Sequence, residues 1–469
     1  MGKINNKKIF VLLPDGIGLK NFAYSSFPEL GSKNGFDIVY WNKTSFDLGK
    51  IGFSEVKLPN SKPHFLSTIL KNVKNTIFLD YFTSKFDDDT YQSYKFKSSS
   101  FFRSWTESLK EVLYRIFLFF FKIAPKESIQ SYIHFFERRT SYYRSCKSQL
   151  TVHKPDFIFC TNQRHISAIA PILAASDLGI PTSTFIFSWD NLPKATLVVS
   201  TDFFYVWSSH MKNELLRYYS NVKEEQIKIV GTPQFEFHYN SDYIISKDEF
   251  FGRYNLNEDW DYICFSGDDI TTSPFDEYYL RDLASSISQL NQNHEKKLGI
   301  IFRRCPVDFS DRYDPIIAEF EDIIIPINPL WKSFGQSWNE IMPTAEDIKI
   351  LNSTIFYSKA VFNLGSSMVF DFIIFDKPCF YFNYDPVIQS DINWSVQKIY
   401  KFIHFKSMPS ENAVMWIMGK DDLRPMLLKV VDSSQEIDLN ETRVWFNKIV
   451  SVSPNTTSSA ILNSIKEIV

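Results

Sequence analysis

Short, unbroken apolar runs alternate along this chain with longer stretches in which apolar residues recur every three or four positions. Ile9–Leu13 is the first such run, and Pro14-Asp15-Gly16 breaks it. A continuous run of that length predicts a strand buried on both faces. Phe36–Trp41, with Asp37 as its one charged residue, predicts a second strand, and Thr76–Leu79 a third. Residues 100–150 hold no glycine and a single proline, Pro125, which predicts helices separated at that point. Phe157–Cys160, Thr182–Phe187 and Phe203–Trp207 predict further strands, and Ile166–Leu178 a helix closing at Gly179.

Turn residues gather between Gly231-Thr232-Pro233 and Asp242, as in an interdomain linker. The alternation then begins again. Tyr262–Phe265, Gly299–Phe302, Val361–Leu364 and Cys379–Phe382 predict strands; Phe275–Leu290 and Ser367–Phe375 predict helices. The expected organisation is two α/β domains of similar size, 1–235 and 236–469, each a doubly wound parallel sheet. Two such domains facing each other would hold a ligand in a central cleft. In these sheets ligands bind beyond the carboxyl ends of strands, so the loops after the strands matter most.

Charge narrows the function classes. The 51 basic and 54 acidic residues give a net charge of −3. Nucleic-acid partners are not expected, because such proteins carry a basic excess. The five cysteines (Cys146, Cys160, Cys264, Cys305, Cys379) are scattered without a CxxC pair, which argues against a disulfide framework or zinc knuckle and for a reducing compartment. No run reaches the ~18–20 apolar residues that span a bilayer, and the N-terminus lacks the pattern of a signal peptide. A cytoplasmic location is expected. The 45 phenylalanines stand beside only 15 glycines. Among the phenylalanines, the block Phe101–Ala124 has two readings. One is an amphipathic element at the inner-membrane surface, with Lys95, Lys97, Arg103, Lys110, Arg115 and Lys122 near anionic headgroups. The other, preferred, is a buried core helix.

Candidate chemistry lies in the loops. In Pro14-Asp15-Gly16-Ile17-Gly18 the pattern GxG follows the first strand, and Asn21 replaces the third glycine of a dinucleotide fingerprint. An acceptor-site loop around Gly16 and a plain tight turn fit it equally. Arg303-Arg304-Cys305-Pro306 follows a strand end, where Arg303 can grip a phosphate. In Asn363-Leu364-Gly365-Ser366-Ser367-Met368-Val369-Phe370-Asp371, two serines at a helix start favour a diphosphate and Asp371, one turn in, can accept ribose hydroxyls. Ser266-Gly267 after Tyr262–Phe265 is a further phosphate candidate, with an ordinary turn at least as good a reading. In Ser188-Trp189-Asp190-Asn191, Trp189 offers a flat face to a sugar, and Asp190 fits a general base or an Asx-turn equally. His165 stands just past a strand end, where a structural role is the commoner one. GxSxG, HExxH and P-loop patterns are missing, which argues against serine hydrolases, zincins and P-loop NTPases.

Several of these segments together carry a resemblance. Phe187-Ser188-Trp189-Asp190-Asn191-Leu192, Phe204-Tyr205-Val206-Trp207, Val230-Gly231-Thr232-Pro233-Gln234-Phe235-Glu236, Arg303-x-x-Pro306, and Ser366-Ser367-Met368-x-x-Asp371 with Asp376-Lys377-Pro378 resemble bacterial GT-B glycosyltransferases of surface-carbohydrate biosynthesis. The likeness covers roughly residues 155–385. It implies two Rossmann-like domains facing a central cleft, the second holding a nucleotide-sugar donor and the first a glycan or lipid-linked acceptor. It implies no cofactor beyond the nucleotide-sugar co-substrate, and no metal. By position, Asp371 would take the ribose; Ser366, Ser367 and Arg303 the diphosphate; Ser266, Gly267 and Asn363 complete the donor candidates. Asp190, Asp15 and His165 are the candidate bases, in that order, with Gly16, Trp189 and Asn191 toward the acceptor. Cys305, Arg304 and Glu236 stand where the pattern has His, Pro and Asp. A UDP-sugar 2-epimerase, a glycerol-phosphate transferase and an inactive glycan-binding subunit are the alternatives.

Overall fold

A computed structural model gives the fold. It describes residues 6–95, 105–333, 341–386, 394–432 and 437–469. The chain divides into two compact units, Met1–Gln234 with Ile449–Val469, and Phe235–Ser333 with Ile341–Lys448. The end of the chain, Ile449–Val469, returns to the first unit. Packing is the reason: the helix Thr457–Lys466 buries Ile461, Leu462 and Ile465 and contacts the helix Phe27–Lys33 of the first unit.

The first unit is built on a parallel sheet of β1 (Lys7–Leu13), β2 (Phe36–Asn42), β3 (Glu55–Lys57), β4 (Phe157–Cys160), β5 (Thr182–Phe185), β6 (Phe203–Val206) and β7 (Ile227–Ile229). Their spatial order is β3-β2-β1-β4-β5-β6-β7. The order reverses direction between β1 and β4, which places the topological switch point there. Register sets Ile9 beside Ile38 on one side and Phe157 on the other. The last five residues of β1 are all buried, as a central strand requires. Aromatic rings fill the adjoining core: Phe22 meets Phe159 at 4.9 Å and Phe185 at 5.2 Å, both edge to face.

Two expectations change here. Thr76–Leu79 is not a strand but the middle of the helix Phe65–Phe86. The buried residues Ile69, Leu70, Val73, Ile77 and Phe82 recur at helical spacing around it, and the short apolar run by itself hid that period. The Phe-rich block is not simply a core helix either. In the helix Trp105–Ile123 only Phe121 is buried. One side, with Leu113, Phe117 and Leu118, packs on the core, and the other is exposed.

The second unit repeats the theme with β8 (Asp261–Ser266), β9 (Leu298–Arg303), β10 (Ile324–Pro326), a small antiparallel pair β11 (Lys332–Ser333) and β12 (Ile341–Met342), then β13 (Val361–Asn363), β14 (Cys379–Phe382) and β15 (Met415–Ile417). The main sheet runs β10-β9-β8-β13-β14-β15, all parallel. Its switch point lies between β8 and β13. Phe362 and Phe380 stack across β13 and β14 with centroids 4.4 Å apart.

Candidate functional site

The carboxyl end of the second sheet gathers the proposed donor residues. Ser266 and Arg303 are register partners across β8 and β9. Phe265 pairs with Phe362, so Asn363 is the next residue along β13 beside the same strand end. Three adjacent strands therefore deliver Ser266-Gly267, Arg303 and Asn363–Ser367 to one edge.

Each of these residues also has a local task. The Gly267 amide donates to the Arg303 carbonyl at 2.9 Å, and a Cβ there would sit 2.9 Å from the Tyr313 hydroxyl. Buried Asn363 turns its Oδ1 to the Ser366 amide at 2.9 Å and so shapes the loop. Gly365 has φ of 72°, a left-handed conformation that glycine adopts without a Cβ clash. Ser366 and Ser367 stand half-buried at the start of the six-residue helix Met368–Ile373. Asp371, 4% exposed, is bonded within the same unit: its Oδ1 lies 2.8 Å from His238 Nε2.

Arg303 does not point freely outward. Its Nη2 donates to both carboxylate oxygens of buried Asp347, at 2.9 and 2.8 Å. Asp347 also receives the Leu330 amide and the Trp331 indole N–H, each at 2.7 Å. One carboxylate thus ties Arg303 to the loop after β10. Beyond it, Arg304, Cys305, Asp308, Asn328 and Trp331 help line a pocket of about 460 Å³. Burial pushes the Cys305 thiol up to about 12, so the residue at the histidine position of the resembled pattern is an uncharged thiol at neutral pH.

Behind Gly267 lies a buried polar knot. The Tyr313 hydroxyl donates to Asp276 Oδ2 at 2.7 Å, and Arg312 donates to Tyr313, to the Asp268 carbonyl and to Asp308. Burial first, then the neighbouring Asp276 and Asp269 carboxylates, raises the Asp268 carboxyl well above its ordinary range. Its neutral form is favoured, so it opposes a nearby anion less than an ionised carboxylate would.

The first sheet collects a second polar group beyond β1, β4 and β5. Asp15 is buried and accepts from the Ile17 amide at 3.2 Å and Asn162 Nδ2 at 2.6 Å. Gly16 begins the helix Ile17–Phe22 at φ of −75°, which any residue adopts. Asp190 accepts from Ser188 at 2.6 Å, Asn191 at 2.8 Å and Lys194. Asn191 in turn accepts from Gln163 at 3.1 Å. Trp189 is 6% exposed, so the face expected to meet a sugar is largely covered in this structure. His165 Nδ1 faces the Ser167 hydroxyl at 2.7 Å and amide at 3.4 Å. An amide can only donate, so Nδ1 accepts and Nε2 carries the proton. Burial, then Lys71, Arg164 and Lys43, lowers the His165 pKa against the pull of Asp15.

Sequence reasoning missed His238, Asp347, Trp331, Asp276 and Arg312. His238 sits in a segment read only as a linker. Asp347 carries a local sign, since Thr344 caps its amide at the start of the helix Ala345–Tyr357, but its link to Arg303 spans 44 positions. A separate cavity of about 360 Å³, near Lys74, Thr201 and Gln226, lies toward the amino ends of β6 and β7, away from the strand ends where such sheets bind ligands. Among the described residues no group of three or more His, Cys, Asp or Glu side chains is arranged to hold a metal ion.

Two doubly wound parallel sheets with polar loops at their carboxyl ends define a GT-B-type chain. No protein-family model and no curated protein matches it. Solved structures do. A candidate UDP-N-acetylglucosamine 2-epimerase of Listeria monocytogenes is 9% identical with a TM-score of 0.55, over 99% of this chain and 96% of its own. The UDP-GlcNAc 2-epimerase of Methanocaldococcus jannaschii is 14% identical with a TM-score of 0.51, over 98% of this chain and 99% of its own. At such identities the shared property is the GT-B fold.

Proposed function

We propose that this chain is a glycosyltransferase that moves a sugar from a nucleotide-sugar donor to a glycan or lipid-linked acceptor. The observation that carries this reading is the convergence of Ser266-Gly267, Arg303 and Asn363–Ser367 at adjacent strand ends of the second sheet. Loop amides, serine hydroxyls and Arg303 would hold the diphosphate; Asp371 would take the ribose. The pocket beside Trp331 and Asn328 would receive the base. An acceptor oxygen attacks the anomeric carbon, the bond to the diphosphate breaks, and the nucleoside diphosphate leaves with the electron pair. Asp190 is the preferred proton acceptor in an inverting reaction, because its side chain is 21% exposed whereas Asp15 is buried. His165, protonated at Nε2, is suited to donate to a hydroxyl.

A second reading is a UDP-sugar 2-epimerase, favoured by the names of the two matched structures. Calorimetry with a panel of nucleoside diphosphates, on the parent chain and on Asp371→Ala, tests the shared donor site. Undiminished affinity in Asp371→Ala overturns the ribose assignment. Absence of binding to every nucleotide favours a glycan-binding subunit. Incubation with UDP-N-acetylglucosamine without acceptor, followed by proton NMR, separates the two reactions. A C2 epimer marks an epimerase, and nucleotide release only when acceptor is added marks a transferase.

A further inference from the structure

The helix Trp105–Ile123 carries a stripe that stays exposed among the described residues. Trp105, Leu109, Val112, Ile116, Phe119 and Ile123 follow one another at spacings of three and four and are each more than half exposed, Trp105 at 94% and Ile123 at 80%. They form one face of the helix, opposite the face that packs on the core through Phe117 and Phe121. The next helix, Ser128–Glu137, extends the surface: Tyr132 is exposed and its ring meets Phe121 at 5.5 Å. Soluble surfaces rarely leave so long an apolar stripe unpartnered.

Charge identifies the occupant. Arg115, whose Nε pairs with Glu111 at 2.7 Å, and Lys122 lie along one flank of the stripe, and the Arg139 guanidinium lies 3.3 Å from the centre of the exposed Phe135 ring. Residues 105–154 hold nine Lys and Arg against four Glu, in a chain whose net charge is −3. One of those four, Glu137, is buried, and burial raises its carboxyl. A second copy docked on this face would bring like charge against like charge. An anionic lipid surface complements it. The helix does not cross a membrane: among the described residues none is long and apolar enough to do so. An apolar face with basic flanks instead lies in the plane of the interface.

We propose that this face docks the chain onto an anionic bilayer, with the stripe from Trp105 to Ile123 inserted at the headgroup boundary and Arg115 and Lys122 against the lipid phosphates. The proposal stands independently of any reaction the chain performs. Flotation of the full chain with vesicles of phosphatidylcholine and phosphatidylglycerol, against phosphatidylcholine alone, tests it. The parent should float with the anionic vesicles, less with the neutral ones, and less in high salt. Ile116→Glu with Phe119→Glu should lower partition about tenfold, and Arg115→Glu with Lys122→Glu should abolish the preference for anionic lipid. These positions are exposed, so unchanged circular dichroism and thermal midpoint are expected. Equal flotation of the Ile116→Glu/Phe119→Glu variant overturns the proposal. So does a dimer, seen by light scattering, that this variant dissociates, because the face then belongs to a second copy.

Discussion

His238 Nε2 and Asp371 Oδ1 lie 2.8 Å apart, with side chains 1% and 6% exposed. The imidazole is wedged between rings, 5.6 Å from Phe375 and 6.2 Å from Phe235. Its position fixes the one carboxylate on the first turns of the Met368–Ile373 helix. His238→Ala leaves Asp371 buried without this partner. The expected loss of stability is about 1–3 kcal/mol, read from urea unfolding. Under the proposed function, affinity for nucleoside diphosphate also falls about tenfold by calorimetry, in parallel with Asp371→Asn. Lost stability with unchanged affinity would mean that the pair serves the fold alone.

Asp347 joins Arg303, Leu330 and Trp331 through one carboxylate. Asp347→Ala strands a buried guanidinium, a change that costs about 3–5 kcal/mol when a buried ion pair loses one member. Trp331→Phe removes one indole hydrogen bond and is expected to cost about 1 kcal/mol. Thermal unfolding should rank the two variants in that order, and equal midpoints would contradict the shared-carboxylate arrangement.

A Cβ on Gly18 would stand 2.5 Å from Thr161 Oγ1 and 2.9 Å from Leu13 Cδ2. The first helix crosses the ends of β1 and β4 at this point because nothing projects from residue 18. Gly18→Ala should destabilise by about 1–3 kcal/mol. Adding Thr161→Ala removes the nearest atom, so the double variant should lose less than the sum of the singles. Strict additivity would show that the close approach is not what the glycine serves.

His134 is held neutral by burial, with Arg138 and Lys74 adding to the effect, and its pKa falls from 6.5 to about 4. Gln130 accepts from Lys74 Nζ at its carbonyl, which turns its amide nitrogen toward His134 Nε2 at 2.7 Å. Between pH 6.5 and about 4 the unfolded chain binds a proton that the folded chain refuses. Stability therefore falls as pH drops through that window, by roughly 2 kcal/mol from pH 7 to 5. His134→Gln should flatten that part of the profile in urea titrations at the two pH values.

Much of the architecture was legible in local pattern. Runs such as Ile9–Leu13 and Phe157–Cys160 read as central strands because both faces are buried and no polar residue interrupts them. Thr76–Leu79 misled because four apolar-rich residues fit a strand and a buried helix alike. β3, β7, β10 and β15, three residues each, left too little pattern to register. Around the candidate site, the loop 363–371 stood out through its glycine, serines and acid. The partners of those residues did not, since His238 is 133 positions from Asp371 and Asp347 is 44 from Arg303.

By itself, then, the sequence determined where strands end and which polar residues follow them, because burial period and turn chemistry are local properties. Tertiary structure decided what those residues face. Asp190 bonds within its own loop, Asn191 also takes a bond from Gln163, Trp189 is covered, and Arg303 at the end of β9 answers to a carboxylate on a helix 44 positions away. It also decided the fate of the Phe-rich helix. Local pattern left two readings, an amphipathic surface element and a buried core helix, and only the packing of one side against the core left the other as an exposed apolar stripe.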